Sequence, residues 1–171
     1  TSTAQYGVLV VGQGSVELSN CSISSTREAA LALTETGRAT GLNVTLSGAN
    51  FGVITDGSSS ATLTGPKITG NGIGAQARAG STIRLTGGQV ARSRQSGLLV
   101  TNGGTIQATG TAIEQNGGNG ATARSGKITL NGVTISNNAQ FGALCESAAG
   151  VIEKIGVTFV GNKMGDTLGC P

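Results

Sequence analysis

The chain has 171 residues, of which 37% are hydrophobic, 2% aromatic and 11% charged, with 30 glycines, three cysteines, and neither His nor Trp. Its 11 basic and 8 acidic residues leave a net charge of +3, too weak a bias, with too few stacking rings, for a nucleic-acid surface. No apolar run approaches the roughly 18 residues of a membrane-spanning helix, and the scarcity of Leu, Glu, Lys and Arg works against a helical domain.

The first element opens on Tyr6-Gly7-Val8-Leu9-Val10 and closes around Asn20, Cys21 and Ile23. The same phrase returns at Ala30, Gly52, Gly74, Gly97, Gly120, Gly142 and Gly165, at intervals of 22 or 23 residues. Such a period is the signature of a solenoid, in which each repeat is one coil that buries its apolar face against its neighbours. Within a coil, three short alternating segments read as strands with one face in and one out. In the fifth coil these carry Leu98 and Val100, then Ile106 and Ala108, then Thr111 and Ile113.

Along the chain, the residue three before the last inward position of each coil is Asn20, Asn43, Gly65, Gly87, Gly110, Gly132 and Gly156. Only Gly and Asn occur there. These residues enter the left-handed region at little cost, so the column predicts one tight corner repeated in every coil. A partial column of Asn71, Asn116, Asn138 and Asn162 follows, read either as amides stacked coil on coil or as solvated turn residues. The sequons at Asn20 and Asn43 fall on the corner column, which accounts for both residues without sugar.

The inward set of the opening strand runs Val8, Leu31, Val53, Ala75, Leu98, Ala121 and Ala143, then Val10, Leu33, Thr55, Ala77, Val100, Ala123 and Cys145. The residue before each Gly has the same parity, which places Tyr6, Phe51 and Phe141 inside the core. In the seventh coil the frame slips: Lys154 falls where Leu130 predicts an apolar residue, so a bulge or local widening is expected. Counting on from Gly165 puts Thr167 beside Leu144 and Leu168 beside Cys145. Cys170 then lies in the strand stacked on Cys145, and a Cys145–Cys170 disulfide is expected, which belongs to an oxidising compartment. Cys21 reads as a small buried hydrophobe.

A left-handed hexapeptide helix needs multiples of six between equivalent sites, and leucine-rich repeats need a Leu-rich strand with a different return path. Neither matches. The segments "PKITGNGIGAQARAG" and "GVTISNNAQFGALCES" resemble the strand, Asn turn and Gly-apolar-x-apolar phrase of the right-handed parallel β-helix of the pectate-lyase-like superfamily. The resemblance implies an all-β, right-handed parallel β-helix of seven to eight coils with three short strands per coil. Residues 1–171 are read as a single domain, a fragment or processed part of a longer protein because the chain begins at Thr1 without Met or a signal peptide.

Two outward columns carry the candidate function. One collects charge: Asp56 should abut Arg78, and Arg124 should abut Glu146, as cross-strand pairs. The other holds Leu9, Ile54, Leu99 and Leu144 every second coil, an exposed aliphatic stripe suited to docking. A Thr row through Thr62, Thr64, Thr86 and Thr109 is interrupted by Arg84 and Gln107, which counts against an ice-binding face. Glycan-acting members of the superfamily group carboxylates, basic residues and often calcium-binding Asp on one outer strand stack. Here there is no His base, no adjacent pair of acids in the charged column, and no metal-binding spacing of Cys or Asp.

The expectation is therefore a non-catalytic extracellular or cell-surface scaffold or adhesion module, reached by bacterial export, with no metal or cofactor. Its partners would be a protein, a second copy meeting it through a strand face or an open solenoid end, or a polysaccharide. The alternative is a degenerate polysaccharide lyase or hydrolase for an acidic glycan, with Arg78, Arg124, Asp56 and Glu146 as its arguable residues.

Overall fold

A computed structural model describes residues 4–170 of the chain. Twenty-two strands, numbered in chain order, form three parallel sheets, and no helix occurs among the described residues. The first sheet stacks β1 (Tyr6–Val10), β4 (Ala29–Leu33), β7 (Phe51–Thr55), β10 (Ile73–Arg78), β13 (Leu98–Thr101), β16 (Ala121–Ala123), β19 (Phe141–Cys145) and β22 (Gly165–Leu168). The second stacks β2 (Ser15–Ser19), β5 (Arg38–Leu42), β8 (Ser60–Thr64), β11 (Thr82–Thr86), β14 (Gly104–Thr109), β17 (Gly126–Asn131) and β20 (Gly150–Ile155). The third stacks β3 (Ser22–Ser24), β6 (Thr45–Ser47), β9 (Lys67–Thr69), β12 (Gln89–Ala91), β15 (Ala112–Glu114), β18 (Thr134–Ser136) and β21 (Thr158–Val160). Each strand pairs with its counterpart one coil away, so the chain winds as a three-sided parallel solenoid.

The corner column behaves as its residue types require. All seven members adopt left-handed backbone, with φ between 47° at Asn20 and 65° at Gly87. Asn20 and Asn43 occupy it as residues for which that region is least costly among those with a side chain, and the Asn43 Nδ2 donates to Asn20 Oδ1 at 3.2 Å.

The other glycine column, Gly52 to Gly142, answers a different need. These residues bend the chain into the first sheet and face the third. A Cβ on Gly97 would lie 2.8 Å from Asn116 Nδ2 and 2.9 Å from Ile113 Cγ2. The interior slot opposite each of these positions runs Thr26, Ala49, Asn71, Ser93, Asn116, Asn138 and Asn162. Ala30, the one member of the column with a side chain, belongs to the coil whose slot holds the small Ala49. The asparagines are buried and stack. Asn116 Nδ2 donates to Asn138 Oδ1, and Asn138 Nδ2 donates to Asn162 Oδ1, both at 2.9 Å. Each also bonds main chain one coil back, as when Asn71 Nδ2 donates to Leu46 O and Asn71 Oδ1 accepts from Ala49 N. The ladder reading holds, and the solvated-turn reading does not.

The core compensates size wall against wall. Where the first sheet contributes Leu31 and Leu33, the second contributes Ala39 and Gly41; where it contributes Ala75 and Ala77, or Ala121 and Ala123, the second contributes Ile83 and Leu85, or Ile128 and Leu130. Constant cross-section is what stacking at about 4.8 Å demands, and close packing holds it.

Two sequence expectations are corrected. The seventh coil contains no bulge in β20, which pairs residue for residue with β17 from Gly126↔Gly150 to Asn131↔Ile155. The extra length sits in the turn: four residues separate Cys145 from Gly150, against two between Ala123 and Gly126. Equivalent positions are therefore 24 residues apart from there on, and β22 shifts by one. Phe141 pairs with Gly165 and Leu144 with Leu168, instead of Gly142 with Gly165 and Leu144 with Thr167. Lys154 stays in line with Leu130 and is half-buried. The Cys145–Cys170 disulfide is present, with the two Cα atoms 5.0 Å apart, and ties β22 down at the end of the first sheet. Cys21 is a half-buried free thiol packed against the core.

Candidate functional site

The outer face of the first sheet is a groove. Its floor is the column Leu9, Ala32, Ile54, Gln76, Leu99, Thr122, Leu144 and Leu168, in register from β1 to β22. The expected exposed stripe takes a different form on this floor. Leu9 is 47% exposed and Leu168 50%, but Ile54 and Leu99 keep only 9% and 5% of their surface in solvent, and Leu144 is half-buried.

The reason lies at the Gly bend. Parity does not run through it: the Gly and the next residue both face the core, so the residue before the Gly turns outward. Tyr6 and Phe51 accordingly pack on Ala29, Ala32 and Ile54 outside the sheet, and not in the interior where alternation placed them. Further along the same wall, Ser96 Oγ and Asn119 Nδ2 reach Thr122 Oγ1 at 2.9 and 3.2 Å, which buries that hydroxyl on the floor.

The opposite wall is the charged column. Arg78 Nη2 lies 2.8 Å from Asp56 Oδ2, and Arg124 Nε lies 2.7 Å from Glu146 Oε2. Both pairs join adjacent coils and are substantially exposed, so each is worth less than about 1 kcal/mol. Asp56 is held twice, because its Oδ1 also accepts from Gly57 N at 2.8 Å. Both carboxylate oxygens are thus engaged, a poor state for a proton-transfer group.

Two hollows lie along the groove. The first, about 200 Å³, is lined by Tyr6, Phe51, Leu9, Ile54, Glu28 and the Asp56–Arg78 pair, among others. The second, about 290 Å³, is polar and is lined by Arg94, Gln95, Asn119, Gln140 and the Arg124–Glu146 pair, among others. The structure thus brings Ile54 and Leu9 together with Asp56 and Arg78, and separates them from Arg124 and Glu146, which line the second hollow. Glu28 and Arg94 are residues that sequence reasoning missed. Neither repeats the residue type of its stacked neighbours, and only the outward turn before each Gly would have placed them on the wall.

A further ion pair lies on the second sheet. The Glu153 carboxyl is held below its ordinary value by a hydrogen bond from Lys127, against some desolvation, with further help from the Lys127 charge and Thr129. The Lys127 Nζ to Glu153 Oε1 distance is 2.8 Å.

Comparison with curated proteins finds no match. Residues 2–164 match the family described as the right handed beta helix region. With three stacked parallel sheets, left-handed corners and this match over nearly its whole length, the chain belongs to the right-handed β-helix family.

Proposed function

We propose that the protein is a non-catalytic extracellular binding scaffold whose working face is the groove on the first sheet, and that its ligand is a polysaccharide lying along that groove. The observation that supports this reading is the outward placement of Tyr6 and Phe51 over an apolar floor, half-exposed beside hydrogen-bonding walls. Aromatic faces take the C–H faces of sugar rings, and the polar walls take hydroxyls. The disulfide fits an oxidising compartment, and among the described residues no helix is long and apolar enough to cross a membrane.

Affinity electrophoresis through gels carrying neutral, acidic and amino polysaccharides tests this. Retardation by at least one polymer is expected, weakened about tenfold by a Tyr6→Ala, Phe51→Ala double variant and unchanged by Thr64→Lys on the second sheet. No retardation by any polymer, or equal loss in both variants, refutes it.

One observation favours a second reading, a degenerate hydrolase or lyase: Glu28 and Asp56 line the same hollow from opposite walls. Release of reducing or unsaturated sugar ends, abolished by Glu28→Gln, would establish it. The double engagement of Asp56 speaks for binding.

A further inference from the structure

The first hollow carries a charge that nothing in it answers. Of its ionisable lining, Asp56 is neutralised by Arg78 at 2.8 Å, whereas Glu28, half-buried, has no ion-pair partner among the described residues. Apart from Thr34, its other lining is aromatic or aliphatic: Tyr6 and Phe51 flank Ala29 in the strand register, with Ala32, Ile54 and Leu9 beneath. The chain has four aromatic residues, one Tyr and three Phe, and two of them stand here. At about 200 Å³ the hollow is smaller than the roughly 300 Å³ at which pockets for drug-sized ligands begin. It holds one ring or head group.

From this we propose that the hollow is a subsite for an amino sugar with a free ammonium group. The apolar face of the ring lies on Tyr6 and Phe51, and its ammonium is directed to Glu28. An unpaired carboxylate beside ring faces attracts an organic cation twice, through its charge and through the ring quadrupoles. A neutral sugar would leave Glu28 partly desolvated with no compensation, so the site selects for charge as well as shape. The inference rests on the groove being the binding face and deepens that reading by naming the sugar class at one end.

Tyr6 is the sole tyrosine and the chain has no Trp, so intrinsic fluorescence reports this hollow alone. The trisaccharide of β-1,4-linked glucosamine is titrated into the full chain at about pH 6, where its amines are mostly protonated, against its fully N-acetylated counterpart and against choline chloride. The free-amine trisaccharide should bind at least tenfold more tightly than either. Glu28→Gln, checked for an unchanged melting curve, should bring the two trisaccharides within about twofold, while Phe51→Leu should weaken both. Equal binding of the two by the unaltered protein, a preference that survives Glu28→Gln, or binding of neither would overturn the proposal. Choline binding as tightly as the amine trisaccharide would remove the ring from it. If other polysaccharides still bind the groove in those cases, the subsite fails and the groove stands; if none does, the groove fails too.

Discussion

Ser93 separates Asn71 from the run Asn116, Asn138 and Asn162 of the asparagine ladder, and Ser93→Asn should close the gap. Its hydroxyl is buried without a hydrogen-bond partner, while Asn71 stands one coil before it and Asn116 one coil after. By the pattern of its neighbours, an amide at this slot would donate to Ile68 O and accept from the N–H of Asn71, as Asn116 donates to Val90 O and accepts from Ser93 N. Space is available because the facing residue is Gly74, as Gly52 and Gly97 face Asn71 and Asn116. Two added buried hydrogen bonds contribute about 1 kcal/mol each, and removing an unsatisfied hydroxyl adds to that. Ordering the longer side chain costs up to about 1 kcal/mol. The net stabilisation is about 1–2 kcal/mol, or roughly 3–6 °C in melting temperature for a chain of this size. Thermal and urea melts followed by circular dichroism measure it. The mirror variant, Asn116→Ser, should cost about 2 kcal/mol by the same accounting. If Ser93→Asn melts at or below the unaltered protein, the slot does not admit an amide and the Gly column is not there to make room for one.

Gly97→Ala should destabilise by about 3 kcal/mol, because its methyl group would lie 2.7 Å from Gly120 O as well as against Asn116 and Ile113, and overpacking against main chain cannot relax; a melt shows it. Cys170→Ser should release β22, whose four residues are all exposed and which pairs only with β19, so amide exchange should rise in Gly165–Leu168 and hold steady in β4 to β16. Lys127→Met should raise the Glu153 pKa back toward the ordinary carboxylate value, read by NMR titration. The sign follows from the lowered folded-state pKa: the pair supports the fold above the unfolded pKa of Glu153, and that support is lost as pH falls through the folded one.

What was legible in the sequence is what the coil repeats. The Asn and Gly of the corner column could be placed because few other residues take φ near 55° without cost, and the period survived every substitution that keeps this property. The inward columns followed from alternation, and the cysteine pair from their being brought onto adjacent strands. The failures share a cause as well. Alternation assumes an unbroken strand, but Gly52, Gly74, Gly97 and Gly120 bend the chain where close approach to the third sheet leaves no room for a Cβ, so the residues before them change sides. Phe51 went to the wrong face for that reason. The last strand was misregistered because Gly165 matched the column by residue type, while the longer turn after Cys145 had already shifted the count.

This division bears on where function can reside. Inside the coil each position is bound to its neighbours above and below by the strand spacing, so a change at Asn116 or Gly97 is felt through the stack. The walls of the groove carry no such constraint: the row that holds Tyr6, Ala29, Phe51, Ile73, Ser96, Asn119 and Phe141 tolerates rings, methyls, hydroxyls and amides in turn. The positions stacked on Glu28 one coil to either side are Gln5 and Asn50, neither of them charged. A carboxylate that the architecture does not ask for, set half-buried beside two outward rings and left unpaired among the described residues, has no structural work to do there. Its removal should leave the coil as stable as before and change only what the groove holds.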